Sequence, residues 1–163
     1  FDLKDHPGAT LICQRGAFLA SSGSPNAVEI TTEMSHSLTA GFFGGQGFIL
    51  QRLSAATKDN DSHNAVDDDA QVLIKAGGTV VRRELRDGEA LRVSSGCIVA
   101  FESTCKYNVE MMKGVRNTMF GGEGLFVTTL TGPGTIWLQG MPPDRMIAEI
   151  ARRVPSGSGL GFG

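Results

Sequence analysis

Several features are scarce in this sequence, and each scarcity excludes something. No apolar run approaches the roughly 20 residues that a membrane-spanning helix needs, so single-pass insertion is excluded. Cysteines number only 3, and Cys13, Cys97 and Cys105 form no Cys-x-x-Cys pair. Neither a disulfide framework nor a zinc site reads from such spacing. A reducing compartment is expected, with the thiols serving as small apolar core residues. A basic excess is missing as well: Lys and Arg total 15 against 17 Asp and Glu, for a net charge of −2. Nucleic-acid binding rests largely on phosphate neutralisation, so this balance argues against it.

Catalytic signatures are equally sparse. There is no Gly-x-Ser-x-Gly elbow, and His6, His36 and His63 stand in dissimilar contexts with no metal-ligand spacing between them. Each reads as a surface histidine. Glu29, Glu84, Glu102 and Glu110 fall in alternating runs, where a solvated face explains them. Asp59 and Asp61 begin like a calcium loop, but its sixth position is Asn64 and its twelfth is Ala70, so the bidentate carboxylate is missing. Asp67-Asp68-Asp69 offers weak divalent binding at most. Asn60-Asp61-Ser62 fits a glycosylation sequon by pattern alone and is expected to be idle. The residues point to a non-enzyme without a cofactor or a metal.

What is present is β character and repetition. A chain of 163 residues fits one domain or two small fused units, and it can bury about 70% of its unfolded surface. It opens Phe1-Asp2-Leu3-Lys4-Asp5, without an initiator Met or a signal-peptide pattern, and reads as the interior of a longer precursor. Phe43-Gly44-Gly45-Gln46-Gly47 recurs as Phe120-Gly121-Gly122-Glu123-Gly124, an offset of 77 residues. Gly16-Ala17-Phe18-Leu19-Ala20 matches Gly96-Cys97-Ile98-Val99-Ala100 at an offset of 80. Two matched blocks near one offset point to an internal duplication.

The first copy carries an insertion. Residues 55–69 stand where the second copy has only Gly132-Pro133, and they hold five Asp and one Lys. Such a composition reads as a disordered surface loop. The divisions expected are a first β repeat at 1–69, a second at 70–141, a helix at 142–155 and a flexible tail at 156–163.

Short runs rich in Val, Ile, Thr and Phe are separated by glycine-containing turns. They predict strands at 9–14, 17–21, 27–32, 47–53, 70–75, 78–84, 89–94, 97–101, 106–111, 124–130 and 134–139. Asp87-Gly88 signals a hairpin or another tight turn. Even spacing of short strands argues for an all-β, duplicated antiparallel double sheet. One segment breaks the pattern. Pro142-Pro143-Asp144 opens it, Met146, Ile147, Ile150 and Val154 recur at helical spacing, and Arg152-Arg153 close its last turn. That is the punctuation of a short C-terminal amphipathic helix. Its apolar stripe either covers the chain's own sheet or docks on a partner or a membrane surface, where Arg145, Arg152 and Arg153 would face anionic headgroups.

The glycine segments invite a phosphate-cradle reading, because successive backbone N–H groups can bind anions. A dinucleotide or P-loop fingerprint, however, needs a helix to follow, and here strands follow. Phe43, Gly44, Gly45, Gly47, Phe120, Gly121, Gly122 and Gly124 are therefore read as a structural motif that permits a bend at a strand start.

Taken together, Gln14-Arg15-Gly16-Ala17-Phe18-Leu19, the two Phe-Gly-Gly-x-Gly segments, Gly77-Gly78-Thr79-Val80-Val81 and Leu130-Thr131-Gly132-Pro133-Gly134-Thr135-Ile136-Trp137 carry a resemblance. The chain resembles the altered-inheritance-of-mitochondria family of mitochondrial biogenesis proteins from about residue 2 to residue 154. The resemblance implies a fold similar to the tryptophan RNA-binding attenuator and supplies no catalytic residue. The family is linked in fungi to inner-membrane organisation. This implies a scaffold or assembly role through protein partners, a membrane-associated complex and self-association. A small-molecule or RNA-binding module of the same fold is the alternative. The implied location is mitochondrial, in the matrix or at the inner membrane, with plastid or bacterial cytoplasm as the alternative. The acidic insertion is atypical of the family and suggests a eukaryotic member.

Overall fold

The computed structural model describes residues 1–33, 49–57, 67–111 and 126–154. Both Phe-Gly-Gly-x-Gly segments, His36, His63, Asp59, the sequon and the tail lie outside the described residues. So do Gly44 and Gly121, which an internal duplication would set at equivalent corners.

Eleven strands and one helix are present among the described residues. In chain order the strands are β1 (Thr10–Gln14), β2 (Phe18–Ser22), β3 (Val28–Glu33), β4 (Leu50–Ala55), β5 (Gln71–Ile74) and β6 (Val80–Leu85). They continue as β7 (Ala90–Ser94), β8 (Ile98–Glu102), β9 (Lys106–Met111), β10 (Phe126–Thr131) and β11 (Gly134–Gln139), and α1 (Pro143–Arg153) follows. Each falls on a run expected from the residues, with bounds moved by at most three positions. The fold is mostly β with one short helix, as the β-branched runs and glycine punctuation require.

Three antiparallel sheets form. The largest has the order β3-β4-β1-β8-β11-β6, and it is accompanied by β7-β10-β9 and β2-β5. Its central strands are buried along nearly their whole length, in the order Thr-Leu-Ile-Cys for β1 and Ile-Val-Ala-Phe for β8. Continuous apolar runs of this kind mark strands covered on both faces. Leu11 and Cys13 of β1 pack with Leu53, Val72, Val99 and Trp137, while Ile12 between them packs with Leu50, Phe101, Leu130 and Ile136. Successive side chains of a strand point to opposite faces, so the large sheet is the middle layer. The β2-β5 pair covers one face, and β7-β10-β9 covers the other. The double sheet read from the residues thus becomes two sandwiches that share a layer.

Pairing registers recur along the chain. β1 pairs with β4 with Leu11 opposite Leu53, and β7 pairs with β10 with Leu91 opposite Leu130. Glu33 lies opposite Leu50 across β3 and β4, as Glu110 lies opposite Val127 across β9 and β10. Both β2-β5 and β8-β11 skip one residue at the same place: Leu19 in the first pair and Val99 in the second. Such a skip is a β-bulge, and it sets Val99 and Ala100 on the same side of the sheet. β1 and β8 meet over Leu11–Glu102, Ile12–Phe101 and Cys13–Ala100. The large sheet therefore draws strands from both the 1–69 and the 70–141 segments, and β5 of the latter pairs with β2 of the former.

Of two connections read from the residues, the tight turn holds and the acidic insertion differs. Asp87-Gly88 makes a tight turn, with Glu89 N–H donating to Arg86 O at 3.0 Å and Gly88 at φ 71°. It is not a hairpin, because β6 and β7 leave it for different sheets. The acidic insertion is not a wholly solvated loop. Asp67 is buried, its N–H donates to Ala56 O at 3.0 Å, and its carboxylate accepts from Asp69 N–H at 3.0 Å. An Asx turn of this kind satisfies the carboxylate locally and fastens the returning end of the insertion to the body.

Of the thiols, Cys13 and Cys105 are buried and Cys97 is half-buried, and none is in a disulfide. Burial pushes the Cys13 thiol up to about 11, and burial together with the nearby Glu102 charge does the same for Cys105. Free thiols in the unfolded chain ionise near 9.0, so as pH rises the unfolded state loses protons first. Stability contributed by these thiols is full below about pH 9 and falls between pH 9 and 11. Thermal melts across that range should show the fall, and the Cys13→Ala/Cys105→Ala variant should show a shallower one. Gly134 supplies a second expectation. It sits at φ 146°, and a Cβ there would lie 2.6 Å from Cys105 Sγ and 2.7 Å from Thr104 Oγ1. Gly134→Ala should lower unfolding free energy by about 2 kcal/mol or more in denaturant titrations.

Candidate docking surface

The most concentrated polar chemistry lies at the end of β8. Glu102 follows the fully buried Phe101, and its two carboxylate oxygens are divided between two donors. Oε2 accepts from Thr135 N–H at 2.7 Å, and Oε1 lies 3.1 Å from His6 Nδ1. The His6 ring meets Trp137 edge-on at 5.5 Å, and Trp137 meets Phe1 edge-on at 4.9 Å. His6 is therefore not a surface histidine, and Glu102 does not lie on a solvated face. The reason is topological: short 3-10 turns at Leu3–Asp5 and Pro7–Ala9 carry the chain's start across the end of the large sheet. Ser103 Oγ donates to Pro7 O at 2.9 Å and fastens the same segment again. What this arrangement does is hold residues 1–9 against β8 and β11. Glu29, Glu84 and Glu110 are exposed, as their alternation implied.

Elsewhere the charged groups pair across strand surfaces. Arg52 forks onto Glu33 at 2.7 and 3.0 Å, Arg83 reaches Glu89 at 2.7 Å, and Arg92 reaches Glu110 at 3.4 Å. Among the described residues, no group of three His, Cys, Asp or Glu side chains is placed to hold a metal ion.

α1 is built on a fixed base. Pro142 is buried beside Gly96, and its carbonyl accepts from Arg145 N–H at 3.1 Å and Met146 N–H at 3.2 Å. Beyond that base the apolar stripe of the helix is exposed. Met146, Ile147, Ile150 and Val154 are 44 to 61% exposed, so their stripe does not cover the chain's own sheet. Glu149 pairs with Arg153 at 2.9 Å and with Arg152 at 3.6 Å. Other exposed apolar residues were not singled out from the sequence: Leu19, Val80, Val81 and Met141. The signal for them was faint, because an apolar residue in a strand reads the same at an open edge as in a core. No helix of the described residues is long and apolar enough to cross a membrane.

With this geometry in place, comparison with known proteins is informative. No curated protein matches the chain. A crystal structure of protein SPYM3_0169 from Streptococcus pyogenes superposes with a TM-score of 0.63 at 19% identity, covering 88% of this chain and 55% of that one. At such identity the likeness speaks for the fold alone, and the chain spans about half the length of this neighbour. A family model for mitochondrial biogenesis AIM24 matches residues 1–141. The match ends before α1, earlier than the residue 154 expected from the sequence. Over the three-sheet body that it covers, the chain belongs to the mitochondrial biogenesis AIM24 family.

Proposed function

We propose that this protein is a non-enzymatic assembly factor in mitochondrial biogenesis or inner-membrane organisation, working in mitochondria by docking onto protein partners. The family implies the biogenesis role. The docking mechanism rests on one observation: α1 presents Met146, Ile147, Ile150 and Val154 to solvent from a base fixed by the buried Pro142. An amphipathic helix whose apolar face is uncovered fits a groove on a partner. Covering the remaining exposed part of these four side chains contributes about 1 kcal/mol each. A groove supplies the rest of a micromolar affinity through its own buried surface. A protein groove is favoured over an anionic membrane, because Glu149 already engages Arg152 and Arg153. We also read the chain as a tandem duplication, supported by the recurring registers and by the bulges at Leu19 and Val99.

Two outcomes follow. Ile147→Glu/Ile150→Glu should keep the melting temperature of the parent and lose the partners that the parent retains in mitochondrial extracts. Retention of all of them by a folded variant would sink the helix-docking reading. The His6–Glu102 pair should behave as a fastening. Glu102→Ala leaves the Thr135 N–H without its acceptor and should cost about 1–3 kcal/mol of stability without touching docking. Turnover of a metabolite by the purified protein, lost in that variant, would overturn the non-enzymatic reading.

A further inference from the structure

We infer that β7 of one copy of this chain adds to β2 of a second copy, in the register that β1 and β8 use within one chain. The inference rests on the duplication read above and is independent of α1.

Strands β1 to β5 correspond in order to β7 to β11, and three of the pairings have a counterpart. β1-β4 answers to β7-β10, β3-β4 to β9-β10, and β2-β5 to β8-β11. Two do not. β11-β6 answers only to the isolated Asp2–Gln71 bridge at β5, while the β1-β8 junction maps onto β7-β2, and among the described residues no strand pairs with the outer edge of either β7 or β2. The burial of matched residues follows the same division. Val99 at the β8 bulge is 3% exposed, whereas Leu19 at the β2 bulge is 62% exposed. Ala100 is fully buried and its counterpart Ala20 is exposed.

The composition of the edges selects these two strands over the others. Natural sheets guard open edges with charge. Of the other edges, β3 carries Glu29 and Glu33, β6 carries Arg82, Arg83 and Glu84, β9 carries Lys106 and Glu110, and the uncharged β5 is bonded on its outer side by Phe1 and Asp2. β2, Phe-Leu-Ala-Ser-Ser, carries no charge, and β7 carries only Arg92. Neither contains proline, so every backbone N–H can enter a ladder. Transferring the β1-β8 register sets Val93 opposite Ala20, Arg92 opposite Ser21 and Leu91 opposite Ser22. No like charges meet. Arg92 and Ser21 replace the fully apolar pair Ile12 and Phe101, so the junction between copies is a weaker, reversible version of the internal one. The contact is heterologous: each copy offers β7 in one direction and β2 in the other, which yields a closed ring or an extending array.

Light scattering on the purified protein should show mass rising with concentration beyond a single chain. Ala20→Lys should raise the dissociation constant at least about tenfold at unchanged melting temperature, because it places an unpaired charge inside the ladder. Ile147→Glu/Ile150→Glu should leave the mass unchanged. In a Cys97→Ser background, chains carrying Ala20→Cys mixed with chains carrying Val93→Cys should form an interchain disulfide. Mixing Ala20→Cys with Leu91→Cys, two residues out of register, should not. The crosslinks also decide the matter if Ala20→Lys does not fold. A monomer at all concentrations, equal crosslinking in both registers, or loss of association only in the helix variant would overturn the proposal. Ala100→Cys with the native Cys13 provides the internal control. An intrachain disulfide there, with no interchain one, rejects the junction between copies and leaves the duplication to stand on the internal registers.

Discussion

The rest of the structure depends on the short ladder between β1 and β8. Only Leu11, Ile12 and Cys13 meet Ala100, Phe101 and Glu102 there, yet this contact makes one six-stranded sheet out of strands that are far apart in the chain. Because that sheet is the middle layer, its central residues have no solvent side. Leu11 and Cys13 serve one core and Ile12 serves the other, so one strand supports both. Burying a side chain such as Phe101 stabilises by about 1.5–3 kcal/mol, and that gain depends on the β7-β10-β9 layer that covers its face. Glu102 ends the ladder with its carboxylate fully engaged, which ties the chain's start to the same junction.

This architecture shapes what the protein can offer a partner. Its His6, Glu102 and Ser103 are spent on fastening the chain's start, and Arg52–Glu33 and Arg92–Glu110 pair across strands. The family model covers the β body, while α1 lies outside the matched residues. The body carries the open strand edges and the helix carries the exposed apolar stripe.

Local structure was almost fully legible in the residues, because β-branched runs between glycines leave the chain few alternatives. The registers Leu11–Leu53 and Leu91–Leu130 are separated by the offsets of 80 and 77 seen between the matched blocks. Long-range consequences were not legible. Nothing near His6 announces Glu102, which is 96 residues away, and their contact exists only because two turns cross the sheet end. Asp67 looked like one more acid in a polar stretch, yet it is buried, with its carboxylate accepting from Asp69 N–H. The helix was legible but its exposure was not, since the same periodicity suits a stripe packed on its own sheet. The glycine-rich motif that dominates the sequence lies outside the described residues.

The separation of β1 from β8 also has a consequence in time. β1 ends at Gln14 and β8 begins at Ile98, so β1 is complete as a chain long before its central neighbour exists. At a synthesis rate of about 5–20 residues per second, the wait lasts roughly 4 to 17 s. During it, an uncharged strand carrying Leu11, Ile12 and Cys13 has one neighbour, β4, and one bare edge. Topologies closed by such distant contacts fold slowly, because loop closure precedes the stabilising contacts. The newborn chain is therefore most open to mispairing just before residue 102 appears, when both the edge of β1 and the face carrying Ile12 await strands still to be made.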